Sequence, residues 1–225
     1  MAVASFGNDD TMNVNSYLFR WNGNKFELYQ DLATDGAYDM EFFTIAGQSY
    51  LAAAYAVNSY LLRWNGNKFE SYKEFATHGA RDMELFNVSG QTFLAVANFH
   101  GRTFNVPSYL YRWSGSTFEL HQEFATHGAY DVEVFTIAGQ TFLAVANFYN
   151  GDNNDDTSGD TYNVNSYLFR WSGSKFELHQ ELASHKACDM EFFTIADQSF
   201  LAVANSYDDY SQHNVDSVLF RWSGS

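Results

Sequence analysis

Residues 108–122 read SYLYRWSGSTFELHQ and residues 130–147 read YDVEVFTIAGQTFLAVAN, and this pair of segments recurs along the chain. Each copy carries a Trp at the same place: Trp21, Trp64, Trp113, Trp171 and Trp222. An Asp-hydrophobic-Glu triplet begins 18 residues after each of the first four, whereas the return to the next Trp takes 25, 31, 40 or 33 residues. Self-similarity with a period of roughly 40 to 60 residues predicts a propeller, a solenoid or an array.

Each repeat contains four short strand-like segments joined by small turns. Residues 108–113 and 117–122 alternate in the period-2 sense around Ser114-Gly115, which predicts a hairpin. In the first repeat this turn reads Asn22-Gly23, a pair that favours type I′ geometry. Residues 130–137 and 141–147 form a second strand pair. The pattern predicts an all-β fold, a β-propeller built from four-stranded antiparallel blades.

The strand chemistry also predicts an order within each blade. We expect the Asp-hydrophobic-Glu strand nearest the axis, then the Ala-rich strand, then the Trp strand, with the polar Phe-Glu-Leu-His-Gln strand at the outer edge. The chain then supplies 18 strands, about five blades, without an inner strand in the first or an outer strand in the last. Either the chain is a piece of a longer ring, or a five-bladed ring closes imperfectly. One domain covers 1–225, with repeats at 16–58, 59–107, 108–165 and 166–216 and part-repeats at 1–15 and 217–225.

Composition narrows the classes of function. The chain has 225 residues, of which 46% are hydrophobic and 19% aromatic, so it can bury a sizeable core. Its formal net charge of −15 disfavours nucleic acid and favours cations or basic protein surfaces as partners. Its one cysteine, Cys188, occupies a repeat position that holds Tyr38, Arg81 and Tyr130 elsewhere. No apolar run is long enough to span a membrane, and residues 1–6 do not resemble an export signal.

The acidic triplets place like charges at equivalent positions of successive inner strands. Residues i and i+2 share one strand face, so several carboxylates would converge if that face lined a central channel. Repulsion there is costly unless a cation binds or some groups are protonated, and oxygen-only ligands suit Ca²⁺. The alternative is that Asp caps the blade connection through backbone amides and Glu pairs with a neighbouring blade. The candidate ligands are Asp39, Asp82, Asp131 and Asp189.

A second candidate site is the face that gathers the segments of variable length. Because strand direction alternates within a blade, these segments share their face with the Thr-His-Gly connections, and the tight turns lie opposite. Variable loops on a constant scaffold are where recognition usually resides. The candidate binding residues are Asp35, His78, His127, His185, Asn98, Asn147, Asn205, Asp152 and Asp156. The last two lie in an acidic segment, 151–160, that fails the EF-hand pattern.

The repeat resembles the epilepsy-associated repeat, also called the EAR or EPTP repeat. The resemblance rests on YLFRWNGNKF at 17–26, QDL at 30–32, AYDMEFF at 37–43 and QSYLA at 48–52, with later copies matching as well. It implies a β-propeller of secreted or cell-surface proteins, usually seven-bladed, that binds proteins and has no enzyme activity. It also implies that the Asp of each acidic triplet can hold a calcium ion in the channel.

These observations predict a non-catalytic, extracellular module that binds a protein partner through the variable-loop face. The alternative is a multivalent carbohydrate-binding propeller, since similar repeats present similar pockets and Tyr, Trp, Asn and Asp suit sugars. No nucleophile recurs beside a His and a carboxylate, and no phosphate-binding glycine loop is evident. The identity of the partner and self-association stay open.

Overall fold

The computed structural model describes residues 1–6, 14–34, 36–55, 57–151, 163–207 and 215–224. Within them the chain forms eighteen strands in five antiparallel sheets. No helix in these ranges is long and apolar enough to cross a membrane. The all-β class and a propeller of about five blades are therefore confirmed, and each sheet is one blade.

The strands run in chain order through the five blades. Blade 1 consists of β1 (Ala2–Val3), β2 (Ser16–Trp21) and β3 (Phe26–Leu32). Blade 2 consists of β4 (Met40–Ile45), β5 (Gln48–Ala53), β6 (Asn58–Trp64) and β7 (Phe69–Ala76). Blade 3 consists of β8 (Ala80–Val88), β9 (Gln91–Asn98), β10 (Ser108–Trp113) and β11 (Phe118–Phe124). Blade 4 consists of β12 (Ala129–Ile137), β13 (Gln140–Asn147), β14 (Ser166–Trp171) and β15 (Phe176–Leu182). Blade 5 consists of β16 (Ala187–Ile195), β17 (Gln198–Asn205) and β18 (Val218–Arg221).

The predicted strand order within a blade is confirmed. Blade 2 runs β4-β5-β6-β7, and the other blades follow the same sequence of strand types. The strands that carry the acidic triplets lie beside one another, since β12 contacts both β8 and β16, and β4 contacts β8. These four strands are called the inner strands below. As predicted, the described part of blade 1 contains no inner strand, and that of blade 5 contains no outer strand.

The hydrophobic core is divided into four clusters, each between two consecutive blades. At three of these joints an aromatic ring of the second strand meets the Trp of the next blade edge-on, with ring centroids 5.2 to 5.3 Å apart. The pairs are Tyr50 with Trp113, Phe93 with Trp171, and Phe142 with Trp222. Such pairs add about 0.5–1.5 kcal/mol each beyond the apolar area they bury. The same contact between an aromatic ring and a Trp therefore recurs at these three blade joints.

The outer faces of the two terminal blades are less covered than the same positions inside the array. In blade 1, Trp21 is 53% exposed and Phe26 is 49% exposed, whereas their blade 4 equivalents Trp171 and Phe176 are 7% and 2% exposed. In blade 5, Leu219 is exposed, whereas its blade 3 equivalent Leu110 is fully buried. Each repeat therefore has apolar side chains on both faces of its blade. In the two terminal blades, one of these faces has no described neighbouring blade to cover it.

The two kinds of hairpin turn differ from the prediction in one respect. In the Asn22 turn, Gly23 has a positive φ of 104° and Asn24 does not, whereas type I′ needs two consecutive positive φ values. The Asn22 side-chain oxygen accepts hydrogen bonds from the backbone N of Asn24 and Lys25 at 2.9 and 3.0 Å, which holds this geometry. Two consecutive positive φ values, as in type I′, occur instead in the inner hairpins, as at Ala138 (51°) and Gly139 (79°). The type I′ prediction was therefore made for the wrong turn.

Candidate functional site

A β-bulge at the start of three inner strands changes the direction of the acidic side chains that follow it. The strand register shifts between Ala80 and Asp82, between Ala129 and Asp131, and between Ala187 and Asp189. The extra residues are Arg81, Tyr130 and Cys188. A bulge increases the local twist and redirects the following side chain. The repeat position that holds Arg, Tyr or Cys in these three blades is therefore the one without a partner in the strand ladder.

Three of the four Asp residues bind the backbone of the next blade. The Oδ2 atom of Asp39 accepts a hydrogen bond from Met83 N at 3.2 Å, and that of Asp82 accepts one from Val132 N at 3.0 Å. Asp131 Oδ2 does the same with Met190 N at 2.8 Å. Three successive joints thus use the same bond, from a side chain on one blade to an amide on the following one.

The Glu of the triplet repeats the contact two residues further along. Glu84 Oε2 accepts a hydrogen bond from Val134 N, and Glu133 Oε1 accepts one from Phe192 N at 3.0 Å. Glu41 is bonded in the same way to Leu85 N. Carboxylates at i and i+2 therefore satisfy amides at j and j+2 of the neighbouring inner strand. This is the amide-capping alternative for the triplet, and it explains the spacing without a ligand.

Burial makes these carboxyl groups hard to ionise. Burial raises the pKa of Asp39, although the hydrogen bonds from Met40 and Met83 oppose the shift. Burial, then the charge of Glu133, raises the pKa of Glu84 to about 8. Burial also raises the pKa values of Asp82 and Asp131, with the nearby charges of Asp39 and Asp82 adding respectively to the two shifts. The Asp82 and Asp131 carboxyl groups lie close to each other, so ionising Asp82 makes Asp131 harder to ionise.

The four Asp residues do not all converge on one point. Within the described ranges, no three His, Cys, Asp or Glu side chains lie close enough together to hold a metal ion. Asp82 and Asp131 are the pair that meets, and one oxygen of each is already committed to an amide. The donor chemistry is that of a Ca²⁺ site, but the arrangement of these side chains does not complete one. Calcium at Asp39, Asp82, Asp131 and Asp189 stays a prediction.

The loop face is built on a hydrogen-bonded frame that recurs in three blades. The side-chain oxygen of Asn98 accepts a bond from His78 N at 3.0 Å, and its Nδ2 donates to Pro107 O at 2.8 Å. Its own backbone N donates to Ser108 Oγ at 3.1 Å. Asn147 and Asn205 make the same three bonds with the equivalent residues of their blades. These Asn side chains close the two ends of each loop.

The predicted His residues lie against the same loops. His127 Nδ1 and Asn105 Oδ1 are 2.6 Å apart, and His185 Nδ1 and Asn163 Oδ1 are 2.5 Å apart. Burial lowers the pKa of His127. His78 lies beside Tyr109, with ring centroids 5.8 Å apart. The structure thus brings the His positions and the variable segments to one face. Asp35, Asp152 and Asp156 lie outside the described residues.

Sequence reasoning missed a cluster of half-buried aromatic rings on this face. The Phe104 ring lies 5.0 Å from the Phe99 ring and 4.9 Å from the Tyr149 ring, centroid to centroid, and joins the loops of blades 3 and 4. The Arg81 guanidinium packs beneath, 4.4 Å from the Phe99 centroid and 3.6 Å from that of Tyr38. A repeat position that holds Tyr twice and Arg once was the available signal, since Arg stacks on Tyr. We call Phe99, Phe104, Tyr130, Phe148 and Tyr149 the aromatic cluster.

Comparison with known proteins assigns the repeat to a family. The family model described as the EPTP domain matches residues 25–65, 68–114, 117–172 and 175–223. Two curated relatives, the thrombospondin-type laminin G domain and EAR repeat-containing proteins of Mus musculus and Homo sapiens, are each 37% identical over 228 residues. The match covers 100% of this chain and 28% of each relative, so the chain spans about a quarter of their length.

Solved structures that resemble this chain are distant in sequence. A GH43_1 enzyme from Xanthomonas citri, solved with xylotriose, is 12% identical with a TM-score of 0.45, covering 76% of this chain and 67% of the enzyme. The GH32 beta-fructofuranosidase of Bombyx mori is 11% identical with a TM-score of 0.47, covering 90% and 54%. Similarity at this level does not bear on activity. The family assignment rests instead on four matched repeats and on relatives named for the same repeat, and the chain belongs to the EPTP domain family, whose repeats are also called EAR repeats.

Proposed function

We propose that this chain is a non-catalytic, extracellular recognition module that binds a protein partner through the loop face. The observation that carries the proposal is the contrast within that face: three loops are closed by identical Asn frames, while their contents differ. A constant frame that displays variable loops is the arrangement of a recognition surface. The proposed extracellular setting is supported by the curated relatives, whose names combine this repeat with a thrombospondin-type laminin G domain.

The aromatic cluster is the part of the face best suited to a protein partner. Its rings are half-buried, so they are held in place by one another yet keep accessible surface. Arg102 lies exposed in the same loop as Phe104. Aromatic and Arg side chains are enriched where protein interfaces concentrate their binding energy. We therefore place the centre of the proposed interface at Phe104.

The proposal is tested by the binding of the fluorescently labelled, tetramerised chain to cells that display single ectodomains. We expect Phe104→Ser to weaken binding to a selected ectodomain by roughly tenfold or more, as for a central aromatic contact. Lys25→Ser is the matched control, because Lys25 lies on a tight turn at the opposite face and its side chain is exposed.

A glycan array distinguishes the carbohydrate-binding alternative. Two results together would overturn the protein-binding proposal. One is saturable binding to simple sugars on the array that Phe104→Ser retains, and the other is loss of binding to the cells after enzymatic deglycosylation. Equal loss of ectodomain binding in Phe104→Ser and Lys25→Ser would also contradict it, because the loop face would then have no special part in binding.

A further inference from the structure

The inner hairpin of blade 3 differs from the other inner hairpins at two positions. The residue two places before the turn is Asn87, whereas the other three hairpins have Thr there. The first residue of the turn is Ser89, whereas the other three have Ala. Together these two differences create the sequence Asn-Val-Ser at 87–89, which is the one Asn-X-Ser/Thr sequence in the 225 residues. That sequence, with any residue but Pro in the middle, is the acceptor for N-glycosylation.

The acceptor sequence lies on the surface of the blade. Asn87 and Ser89 are both exposed, as are the three residues equivalent to Asn87 in the other blades, Thr44, Thr136 and Thr194. Ser89 and Gly90 have positive φ values of 52° and 73°, so the chain reverses within a tight two-residue turn immediately after Val88. Exposed turns are where N-linked glycans are carried, because the sugar is bulky and hydrated.

The hydrogen bonding of Asn87 leaves its amide nitrogen available. Thr92, directly opposite in the strand ladder, donates from Oγ1 to Asn87 Oδ1 at 2.7 Å. This bond fixes the orientation of the side-chain amide through its oxygen. Within the described residues the Nδ2 atom of Asn87 makes no hydrogen bond, and Nδ2 is the atom to which an N-linked glycan is attached.

A polar cleft beside Asn87 provides space for a sugar. It lies at the joint between blades 3 and 4, has a volume of about 800 Å³, and is lined by residues that include Asn87, Ser89, Gln140, Arg170 and Ser172. A cavity of about 150 Å³ is enough to hold benzene, so the cleft has room for the six-membered ring of a first sugar. Arg170 is exposed here and can donate hydrogen bonds to sugar hydroxyls.

We propose that Asn87 carries an N-linked glycan whose first sugar lies at the cleft between blades 3 and 4. The donor is an oligosaccharide linked to a lipid diphosphate. The bond between sugar C1 and the diphosphate oxygen breaks, a bond between C1 and Asn87 Nδ2 forms, Nδ2 loses one proton, and the lipid diphosphate leaves. The proposal rests on the extracellular setting of the proposed function, because this donor is met on the export route.

The position of the glycan is compatible with binding at the loop face. Strand β8 runs from the loop face, where Ala80 begins it, to the tight turn at Ser89. The glycan is therefore attached on the face opposite the aromatic cluster. It would cover the turn end of a blade joint and leave the proposed interface around Phe104 open.

The test is expression of the full chain behind a cleavable export signal in cultured animal cells. The glycan is attached before export is complete, so chain from the cells and chain from the medium both report it. We expect one glycan per chain, seen as a gel shift that peptide-N-glycosidase removes. That enzyme converts a glycan-bearing Asn to Asp, and mass spectrometry of the tryptic peptide 82–102 should show this conversion at Asn87.

Two variants that restore the residues of the other repeats are the controls. Asn87→Thr and Ser89→Ala should each abolish the gel shift, and each should fold, since the other three inner hairpins have Thr and Ala at these places. Ser89→Ala also removes the hydrogen bond that Trp171 Nε1 donates to Ser89 Oγ at 3.3 Å, whereas Asn87→Thr keeps it. Loss of the glycan in both variants therefore separates the acceptor role of Ser89 from its contact with Trp171.

A transplanted acceptor sequence tests the hairpin position itself. Thr136→Asn combined with Ala138→Ser writes Asn-Ile-Ser into the inner hairpin of blade 4, where both positions are exposed, and should add a second glycan. An unmodified Asn87 in the exported chain would overturn the proposal without bearing on partner binding at the loop face. A gel shift that Asn87→Thr leaves unchanged would also overturn it, because the glycan would then be attached elsewhere.

Discussion

The Asp82 carboxylate accepts a hydrogen bond from the Val132 amide, 3.0 Å away on the next blade. This one contact joins two inner strands that share no strand ladder, and it is repeated between Asp39 and Met83 and between Asp131 and Met190. The acidic triplet is thus first of all a device for joining blades.

Removing the Asp82 acceptor should therefore destabilise the fold. We expect Asp82→Ala to lower the free energy of unfolding by about 1–3 kcal/mol, because it leaves a buried amide without a partner. Asp82→Asn keeps an acceptor oxygen and should cost less. Urea unfolding followed by Trp fluorescence measures both. Asp189→Ala is the control, since Asp189 caps no amide within the described ranges, and a loss as large as that of Asp82→Ala would contradict this account.

The stability of the chain should fall as pH rises from about 4.5 to about 8. Glu84 has a pKa of about 8 in the folded chain against an ordinary value of 4.5, so the folded state holds the proton more tightly. Its stabilising contribution is complete below about pH 4.5 and is lost as pH rises through about 8. The slope is at most about 1.4 kcal/mol per pH unit for each such proton.

The Glu84→Gln variant isolates that contribution. Its amide oxygen can accept the Val134 bond without titrating, so urea unfolding between pH 5 and 9 should show a flatter pH dependence than the unsubstituted chain. A free energy of unfolding that rises with pH in the unsubstituted chain would contradict the proposed protonation. The comparison also removes the general effect of a growing negative charge, which both chains share.

Binding of Ca²⁺ is an alternative to protonation as a way to relieve the repulsion between the inner-strand carboxylates. A ligand that binds only the folded state at 100 times its dissociation constant adds about 2.7 kcal/mol to stability. If Ca²⁺ binds among the inner-strand carboxylates, adding it at pH 8 should raise the melting temperature, and the rise should shrink at pH 5 where protons compete. Thermal unfolding decides between protonation and Ca²⁺ binding. It is measured with Ca²⁺ and with a chelator, in the unsubstituted chain and in Asp39→Asn and Asp131→Asn. Identical melting curves throughout would remove the cation from the account.

The Asn frame of the loop face should carry a large share of local stability. Asn147 is fully buried and makes three hydrogen bonds that tie His127, Asn165 and Ser166 together. We expect Asn147→Ala to cost about 1–3 kcal/mol, because it removes both side-chain bonds and leaves the part-buried His127 N and Asn165 O unpaired. Hydrogen exchange should quicken at His127 N while the Phe142–Trp222 joint stays protected. Uniform loss of protection would show that the frame acts on the whole fold and not on the loop.

Much of the fold could be predicted because the repeat samples each position several times. Alternation and turn spacing predicted the strand order and the eighteen strands, and the Ala-rich second strand indicated tight packing near the axis. The turn types were harder, since Asn-Gly suits more than one turn and in the structure the Asn22 side chain bonds the turn's own backbone amides. Here the side chain's own hydrogen bonds outweighed the usual preference of the pair.

The role of the acidic triplet could not be decided from the sequence. Carboxylates at i and i+2 suit a shared cation and a pair of amides equally well, and only the position of the neighbouring strand distinguishes them. The aromatic cluster was missed for a related reason. Phe104 and Tyr149 lie in segments of different length in different repeats, so periodicity carries no signal about them.

The two sides of a blade joint contribute different groups to the hydrogen bond between them. The side that gives the acceptor must carry a side-chain oxygen, whereas the side that gives the amide contributes only its main chain. Met83, Val132 and Met190 can therefore interchange without altering the bond, while Asp39, Asp82 and Asp131 cannot. Substitutions in this chain are therefore tolerated at the residue that gives the amide and restricted at the residue that gives the side-chain oxygen. A repeat can thus be copied beside any other repeat without a new partner having to evolve.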